Sequence, residues 1–143
     1  EVVGRARTIL AAAQDLVDIA AGAGEPMTGL LRLGVIPTIA PFLLPQCLRL
    51  LRERYPALRL ALREDLTGNL LLRLEDGRLD FALIALPYDT ANLLVEPLFA
   101  DDLWVVGRNG DAEVKARKVA VTPSLAARRL LLEEGHCLRD HAM

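Results

Sequence analysis

The sequence predicts an α/β fold built on a parallel sheet, with a long helix in front of it. Two observations favour this class. Nearly continuous apolar runs alternate with amphipathic stretches along residues 29–87. The chain is also 52% hydrophobic but only 4% aromatic, so its core must be aliphatic. Strands that alternate with helices in this way lie parallel with right-handed crossovers, and 143 residues suffice for one compact domain or a domain and a half.

Residues 1–23 are predicted to form the first helix. Its apolar residues recur in steps of four and three, as in a heptad seam, at Val2, Ala6, Ile9, Ala13, Leu16, Ala20 and Ala23. A segment of linker type, GAGEPMTG, follows. We interpret residues 1–25 as a linker helix that dimerises; the alternative is an amphipathic helix lying on its own domain.

Three strands and two helices are predicted next, in alternation. The strands are GLLRLGVIP, ALRLALRED and FALIALP. The first helix between them ends at Pro56, and the second begins with Thr67 as N-cap and ends at Gly77. After residue 95 we expect a crossing segment and a strand in EPLFADDLWVVGRNG. The stretch KVAVTPSLAARRLLLEEG then predicts a strand, a short helix capped by Thr122 with Pro123 first, and another strand.

Composition excludes several classes of protein. The net charge of −2 and a pI near 5.7 argue against DNA binding by this segment itself. Apolar runs stay well below the ~18 residues of a membrane span, and we expect no secretory signal peptide and no membrane association. Two distant cysteines make no disulfide framework, which indicates a reducing cytosol. We expect the chain to be a fragment with material missing at both ends.

The stretch EEGHCLRDHAM contains the residues that indicate chemistry. A thiolate is stabilised by neighbouring cationic groups, and Cys137 has His136 and Arg139 beside it. Asp140 can cap a following helix or orient Arg139. The loop follows an apolar strand, where α/β proteins place their sites, and an activated thiolate is what peroxide oxidises to sulfenic acid.

Other interpretations of the cysteines stay open at this point. Cys137 can be a loop thiol without a role, or a metal ligand together with His136 and His141, although no CxxC partner exists. We expect no metal and no cofactor. Cys47 lies on the leucine face of a helix, which indicates a core thiol. A disulfide between Cys47 and Cys137 would require Cα atoms within ~7 Å.

Two threonines stand at predicted strand-to-helix turns, Thr38 in GVIPTIAP and Thr67 in REDLTGNL. Either can be an N-cap, the common role of threonine there. In a parallel sheet, however, both turns open at the same carboxyl edge. Their hydroxyls are therefore candidates to face a shared pocket and bind a small polar ligand.

The stretch GHCLRDHAM resembles the peroxidatic-cysteine segment of the hydrogen-peroxide sensors among the LysR-type transcriptional regulators. The resemblance covers residues 27–143, because further stretches are similar to the regulatory domain of that family, in the same order and at similar spacing: LRLGVIPTIAPFLLP, RYPALRLALREDLTGNLL, LEDGRLDFALIAL and VEPLFADDLWVV.

This resemblance implies a fold of the type 2 periplasmic-binding kind, two α/β lobes joined by crossing strands. Residues 27–99 would belong to the first lobe and residues 100–143 to the second, which is incomplete. It also implies a role for each candidate residue. Cys137 would be the thiol that hydrogen peroxide oxidises, its polar neighbours being His136, Arg139 and Asp140. The residues that hold peroxide or water beside the sulfur would be Thr38 and Thr67.

The function implied is a regulatory domain that senses hydrogen peroxide, not an enzyme. Oxidation of Cys137 would change DNA binding and activate oxidative-stress genes in the bacterial cytoplasm. The implied partners are a homodimer or homotetramer, RNA polymerase, and DNA bound through a helix-turn-helix domain before residue 1. The resolving cysteine of the family would lie beyond Met143, and Cys47 does not match it. The alternative is a LysR-type domain that senses a small organic ligand. Two other classes of protein share features with this chain. A thiol peroxidase would share the cysteine chemistry, and an extracytoplasmic solute-binding protein would share the fold.

Overall fold

The computed structural model describes residues 2–21, 27–114, 119–120, 122–134 and 136–142. Its helices and strands follow in the order α1 (Val2–Ala21), β1 (Gly29–Val35), α2 (Ala40–Arg54), β2 (Leu58–Glu64), α3 (Thr67–Glu75), β3 (Phe81–Leu83), a 3₁₀ turn (Ala112–Val114), α4 (Pro123–Arg128) and α5 (Cys137–His141).

The three strands form one parallel sheet with β1 in the centre. β2 pairs along the whole of β1, from Gly29 opposite Leu58 to Val35 opposite Glu64. β3 pairs with the last three residues of β1 on its other side. The alternation of strands and helices predicted for residues 29–83 is confirmed, and the parallel order brings the turns after β1 and β2 to one edge of the sheet.

Local sequence sets the ends of α2 and α3. Pro41 stands in the first turn of α2, where its missing N–H has no helical partner to lose. The helix ends with Tyr55 as C-cap, because Pro56 disfavours the helical conformation of the residue before it. α3 ends at Glu75, and Gly77 adopts φ +67°, a left-handed conformation that suits glycine.

The core lies at the carboxyl end of β1, under α3. Ile36, Leu70, Leu79 and Cys137 form a buried cluster, with partly buried apolar side chains packed around it. Gly34 makes this packing possible, since a Cβ there would lie 2.7 Å from Leu79 Cδ1 and 2.8 Å from Leu70 Cδ2. The cluster thus combines residues from the sheet region with a cysteine more than fifty positions further along the chain.

α1 contacts β1, but part of its apolar pattern is exposed. Val2, Ile9 and Leu16, three residues of the heptad pattern, are all exposed. The dimerising role and the alternative, a helix lying on its own domain, both stay predictions. Ala23 of the same pattern lies outside the described residues. Among the residues that the structure describes, none of the helices combines the length and apolar character that crossing a membrane requires.

The second part of the chain departs from the prediction. In the described residues after β3, the structure has no strand, although we expected strands in residues 96–110 and 130–135. The physical reason is pairing: no described neighbour offers these segments a hydrogen-bonded ladder, and Trp104, Val106 and Leu130 are exposed. Of the strand expected at residues 118–121, positions 118 and 121 lie outside the described residues, and Val119 and Ala120 are not in a strand. Thr122 caps α4 by accepting from the Leu125 N–H, and Pro123 is its first residue, as predicted.

Candidate functional site

α5 brings Cys137 to the end of β1. His136 is the N-cap of this helix and Cys137 is its first residue. The Arg139 N–H donates to the His136 carbonyl at 3.0 Å, which closes the first turn. Cys137 is only 5% exposed. Its Sγ lies 3.8 Å from Thr38 Oγ1, within hydrogen-bond distance for sulfur.

The Thr38 side chain is not a helix cap. The N-cap of α2 is Ile39, which has no side-chain hydrogen bond to the helix. Thr38 instead lies half-buried in the turn between β1 and α2, with its hydroxyl on the Cys137 sulfur. Of the two roles that the sequence left open for this threonine, the structure supports the one in a shared pocket.

The prediction that Thr67 is an N-cap is wrong, because Leu66 takes that position and Thr67 is the first residue of α3. Thr67 is 1% exposed, and its Oγ1 has no hydrogen-bond partner within the described residues. A buried hydroxyl without a partner carries a desolvation cost of roughly 1–3 kcal/mol. Such a group is suited to bind a small polar ligand that enters beside it.

These side chains meet in one small cleft, which has about 140 Å³ of space, part of it open to solvent. Four of its seven lining residues were singled out from the sequence, namely Thr38, Thr67, His136 and Cys137. The other three, Ile36, Pro37 and Leu66, are apolar and carried no chemical signal. The cleft therefore combines a thiol, two hydroxyls and an imidazole with an apolar wall.

Arg139, also predicted as a site residue, does not line the cleft. Its guanidinium donates to the Leu132 carbonyl at 3.3 Å and lies 3.8 Å from the Glu134 carboxylate. The side chain of Asp140 lies outside the described residues. Arg139 thus ties α5 to the loop before it.

Two more contacts hold the far end of α5. His141 Nε2 lies 3.3 Å from the Pro87 carbonyl oxygen, and the Arg129 guanidinium donates to the Ala142 carbonyl. Together with the Arg139 contacts, they fix the short helix that presents Cys137.

Asp65 is a residue that sequence reasoning missed. Its carboxylate bridges β2, the turn after it and α3, by accepting from Arg63, from the Leu66 N–H and from Asn69. The hydrogen bonds from Asn69 and Arg63 hold the pKa of Asp65 below its ordinary value, against the opposing effect of burial. The one feature of the sequence that could have indicated Asp65 is its position, because it lies between the end of a predicted strand and Thr67.

Cys47 and Cys137 are both free thiols. Cys47 is half-buried on α2, less enclosed than the core thiol that the sequence indicated. In the part of the chain that the structure describes, no three His, Cys, Asp or Glu side chains come together in a way that could hold a metal ion.

Residues 24–143 match the family model of the LysR substrate binding domain. The HTH-type transcriptional regulator EstR of Acinetobacter baylyi is 43% identical over 143 residues, which is 100% of this chain and 47% of that protein. A probable hydrogen peroxide-inducible genes activator of Streptomyces viridosporus is 41% identical over 150 residues, 99% of this chain and 46% of that protein. The chain thus spans about half the length of the curated relatives it matches.

A solved structure of a Corynebacterium glutamicum OxyR mutant matches with a TM-score of 0.74 and 35% identity. The match covers 96% of this chain and 43% of that one. With the family model, this likeness confirms the predicted fold class.

Proposed function

The chain belongs to the LysR substrate binding domain family, and we propose that it is the hydrogen-peroxide-sensing regulatory domain of a LysR-type transcriptional regulator. The observation that carries the proposal is the cleft, in which the Cys137 sulfur lies 3.8 Å from the Thr38 hydroxyl. Thr67 lines the same cleft, and its hydroxyl has no hydrogen-bond partner within the described residues. Relatives named as hydrogen peroxide-inducible activators support it.

In the proposed reaction, the Cys137 thiolate attacks the near oxygen of hydrogen peroxide. A sulfur–oxygen bond forms and the oxygen–oxygen bond breaks, so that sulfur is oxidised by two electrons and peroxide is reduced. The products are the sulfenic acid of Cys137 and hydroxide, which leaves as water once it takes a proton. His136, which lines the cleft, or Asp140 supplies that proton, and general acid assistance of this kind is worth about 10²–10⁴-fold.

The two threonines select the small oxidant in this proposal. A hydroxyl both donates and accepts hydrogen bonds, and so does hydrogen peroxide. Thr38 and Thr67 hold the ligand from two turns of the same sheet edge, with one oxygen directed at the sulfur. Arg139 contributes indirectly, since its contacts with Leu132 and Glu134 fix the helix that carries Cys137.

The proposal extends to the whole protein. Oxidation of Cys137, followed by reaction with a resolving thiol, changes DNA binding and activates oxidative-stress genes. The protein is then a cytoplasmic homodimer or homotetramer that binds DNA through a helix-turn-helix domain and contacts RNA polymerase. The division into a dimerising linker helix (1–25), a first lobe (27–99) and a second lobe (100–143) belongs to the same proposal.

The first test identifies the reactive thiol. The intact protein is treated with limiting hydrogen peroxide and a sulfenic-acid trap, and its peptides are analysed by mass spectrometry. We expect the label on Cys137, with Cys47 as the internal control. Preferential labelling of Cys47 would contradict the proposal.

The second test addresses the pocket. Thr38→Val and Thr67→Val keep the side-chain shape and remove the hydroxyl, so each should slow oxidation of Cys137 by about tenfold or more. One hydrogen bond lost in the transition state is worth roughly 1–2 kcal/mol. Reaction with the neutral alkylating agent iodoacetamide should change far less. If both reactions slow equally, the threonines only tune the thiol.

A domain that senses a small organic ligand is the second candidate. It is supported by the family model that the chain matches, which is named for substrate binding. The cleft is shallow, and the space in it includes open solvent, so it encloses far less than the ~300 Å³ at which pockets for drug-sized ligands begin. This argues against an organic ligand. An organic ligand that raises the melting temperature of a Cys137→Ser variant would reverse this order. Repeated turnover with excess peroxide and a reductant would instead indicate a thiol peroxidase.

A further inference from the structure

We propose that Asp65 is a positioning residue that keeps the Thr67 hydroxyl directed into the cleft and thereby sets the rate at which Cys137 reacts with peroxide. This inference rests on the proposed function and deepens it. Asp65 does not line the cleft, so it acts through Thr67 and not on the ligand.

Oδ1 of Asp65 connects the residues on both sides of Thr67, at the turn that leads into α3. Oδ1 accepts a hydrogen bond from the Leu66 N–H at 3.0 Å and another from Asn69 Nδ2 at 2.7 Å. Leu66 directly precedes Thr67, and Asn69 follows it by two positions. The backbone N–H of Asp65 donates to the Val35 carbonyl at 3.3 Å, which attaches the same turn to the central strand.

The second oxygen connects the turn to the elements on both sides. Oδ2 accepts from Arg63 of β2, at 3.2 Å from Nε and 2.8 Å from Nη2, and lies 3.8 Å from Arg73 Nε of α3. Hydrogen bonds of this charge-assisted kind are about twice as strong as neutral ones. With its side chain only 16% exposed, Asp65 is the group that joins β2, the turn and α3.

The Thr67 hydroxyl has no competing hydrogen-bond partner among the described residues. Threonine hydroxyls readily bond to nearby backbone groups, which turns them away from a pocket. The N-cap of α3 is a leucine and offers no side-chain oxygen to the first turn of the helix. The carboxylate of Asp65 fixes the backbone of this turn through the Leu66 N–H, and Thr67 lines the cleft.

The test compares two rates in the intact protein. For each variant, the rate constants of Cys137 with hydrogen peroxide and with iodoacetamide are measured, and their ratio is the readout. A general loss of structure or of thiolate changes both rates, whereas loss of the Thr67 contact changes the ratio. We expect Asp65→Ala to lower the ratio about tenfold, and Asn69→Ala to lower it less, in the same direction.

Asp111→Ala is the matched control. Asp111 also caps a turn and pairs with an arginine, accepting from the Glu113 N–H at 3.1 Å and from Arg128 at 3.2 Å, but it does not line the cleft or contact Thr67. We expect its ratio to equal that of the unchanged protein. An equal drop for Asp65→Ala and Asp111→Ala would contradict the inference, because the effect would then not be specific to the turn of Thr67.

A double variant decides whether Asp65 acts through Thr67. In Asp65→Ala combined with Thr67→Val, the ratio should equal that of Thr67→Val alone, since the hydroxyl to be positioned is already gone. Effects that multiply would mean an independent action of Asp65 and would overturn the inference. If Asp65→Ala does not fold, Asn69→Ala takes its place in the same cycle, because it keeps the carboxylate and its pair with Arg63.

The outcomes separate the inference from the proposed function. If Thr67→Val lowers the ratio while Asp65→Ala and Asn69→Ala do not, the inference is wrong and the proposed function stands. If Thr67→Val leaves the ratio unchanged while hydrogen peroxide still oxidises Cys137, the threonine only tunes the thiol, and the inference is wrong although the sensing function stands. If hydrogen peroxide fails to oxidise Cys137, the proposed function is wrong and the inference with it.

Discussion

Residues 29–85 and residues 96–134 are both rich in aliphatic side chains but use them differently. In the first region Leu70 is 0% and Val35 1% exposed, whereas in the second Leu130 is 99% and Val106 91% exposed. The two regions differ in whether their apolar segments have neighbouring strands to pair with. Val35 lies on a strand paired on both sides, while the segment around Val106 has no paired neighbour among the described residues. An apolar run therefore becomes a strand only where another strand meets it.

The candidate site crosses this division. Thr38, Thr67 and the apolar wall of the cleft come from the well-packed region, and α5 is the only described element after residue 96 that contributes to the core cluster, through Cys137. The well-packed region thus provides the candidate binding groups, and a short, separately anchored helix provides the candidate reactive atom.

Truncation of one leucine in each region should give the largest contrast. Leu70→Ala removes a fully buried side chain and should lower the free energy of unfolding of the intact protein by about 2–5 kcal/mol. Leu130→Ala changes an exposed side chain and should alter it by no more than about 0.5 kcal/mol. Denaturant unfolding measures both. Similar costs would show that Leu130 is packed in the intact protein and would end the contrast between the regions.

Two glycines allow a finer comparison. Gly34→Ala places a methyl group against Leu70 and Leu79 in the closed core and should cost about 1–3 kcal/mol. At Gly107 the three atoms nearest to the added methyl all belong to Val114, the closest at 2.9 Å, and this valine is half-buried, outside the closed core. We expect Gly107→Ala to cost less than about 1 kcal/mol. Thermal unfolding of the two variants checks the order, and the reverse order would contradict it.

α4 tests whether the second region has local stability of its own. Thr122 accepts from the Leu125 N–H at 3.1 Å and donates to Glu113 at 3.0 Å. Loss of such a cap costs about 1 kcal/mol, so Thr122→Ala should speed amide hydrogen exchange in α4 by roughly fivefold. Exchange in α3 is the internal control and should stay constant. Unchanged exchange in α4 would mean that the cap does not limit its opening.

Each region also contains an aspartate whose pKa is lowered, which gives a small pH effect. For Asp65 the main causes are hydrogen bonds from Asn69 and Arg63, and for Asp111 they are the Glu113 N–H and Arg128. A pKa that is lower in the folded protein contributes stability above the ordinary value of 3.8. That stability is lost as the pH falls through the folded-state pKa.

Unfolding between about pH 5 and pH 2 should therefore depend less on pH in Asp65→Asn than in the unchanged protein. The same substitution at Asp111 should act in the same sense. Parallel curves for the variants and the unchanged protein would contradict the assignment of the two shifts.

Much of the first region could be predicted because its signals are local. The period of the apolar residues gives β1, β2, α2 and α3, and the parallel order places Thr38 and Thr67 at one edge. Capping was predicted less well, since it depends on backbone angles at the turn: Ile39 and Leu66, not the threonines, adopt the N-cap positions.

The rest depended on contacts that local patterns do not contain. A strand after β3 requires a neighbouring strand to pair with. The apolar pattern of the sequence does not indicate that the described residues contain no such neighbour. The direction of the Arg139 side chain follows from the loop at Leu132 and Glu134, not from its proximity to Cys137 in sequence. The hydrogen bonds of Asp65 with Asn69 and Arg63 form because the turn between β2 and α3 brings these side chains together, which the sequence pattern does not show.

Cys137 belongs to the buried cluster with Ile36, Leu70 and Leu79 and is also the proposed reactive residue. Oxidation adds a polar oxygen at a place surrounded by apolar side chains, which costs free energy unless the oxygen finds a hydrogen-bond partner. Docking of α5 and oxidation of Cys137 are linked in a thermodynamic cycle. The factor by which oxidation lowers the equilibrium constant for docking equals the factor by which undocking raises the equilibrium constant for oxidation. The docking of α5 and the oxidation of Cys137 then share one coupling free energy, so a substitution that repacks Ile36 shifts both equilibria together.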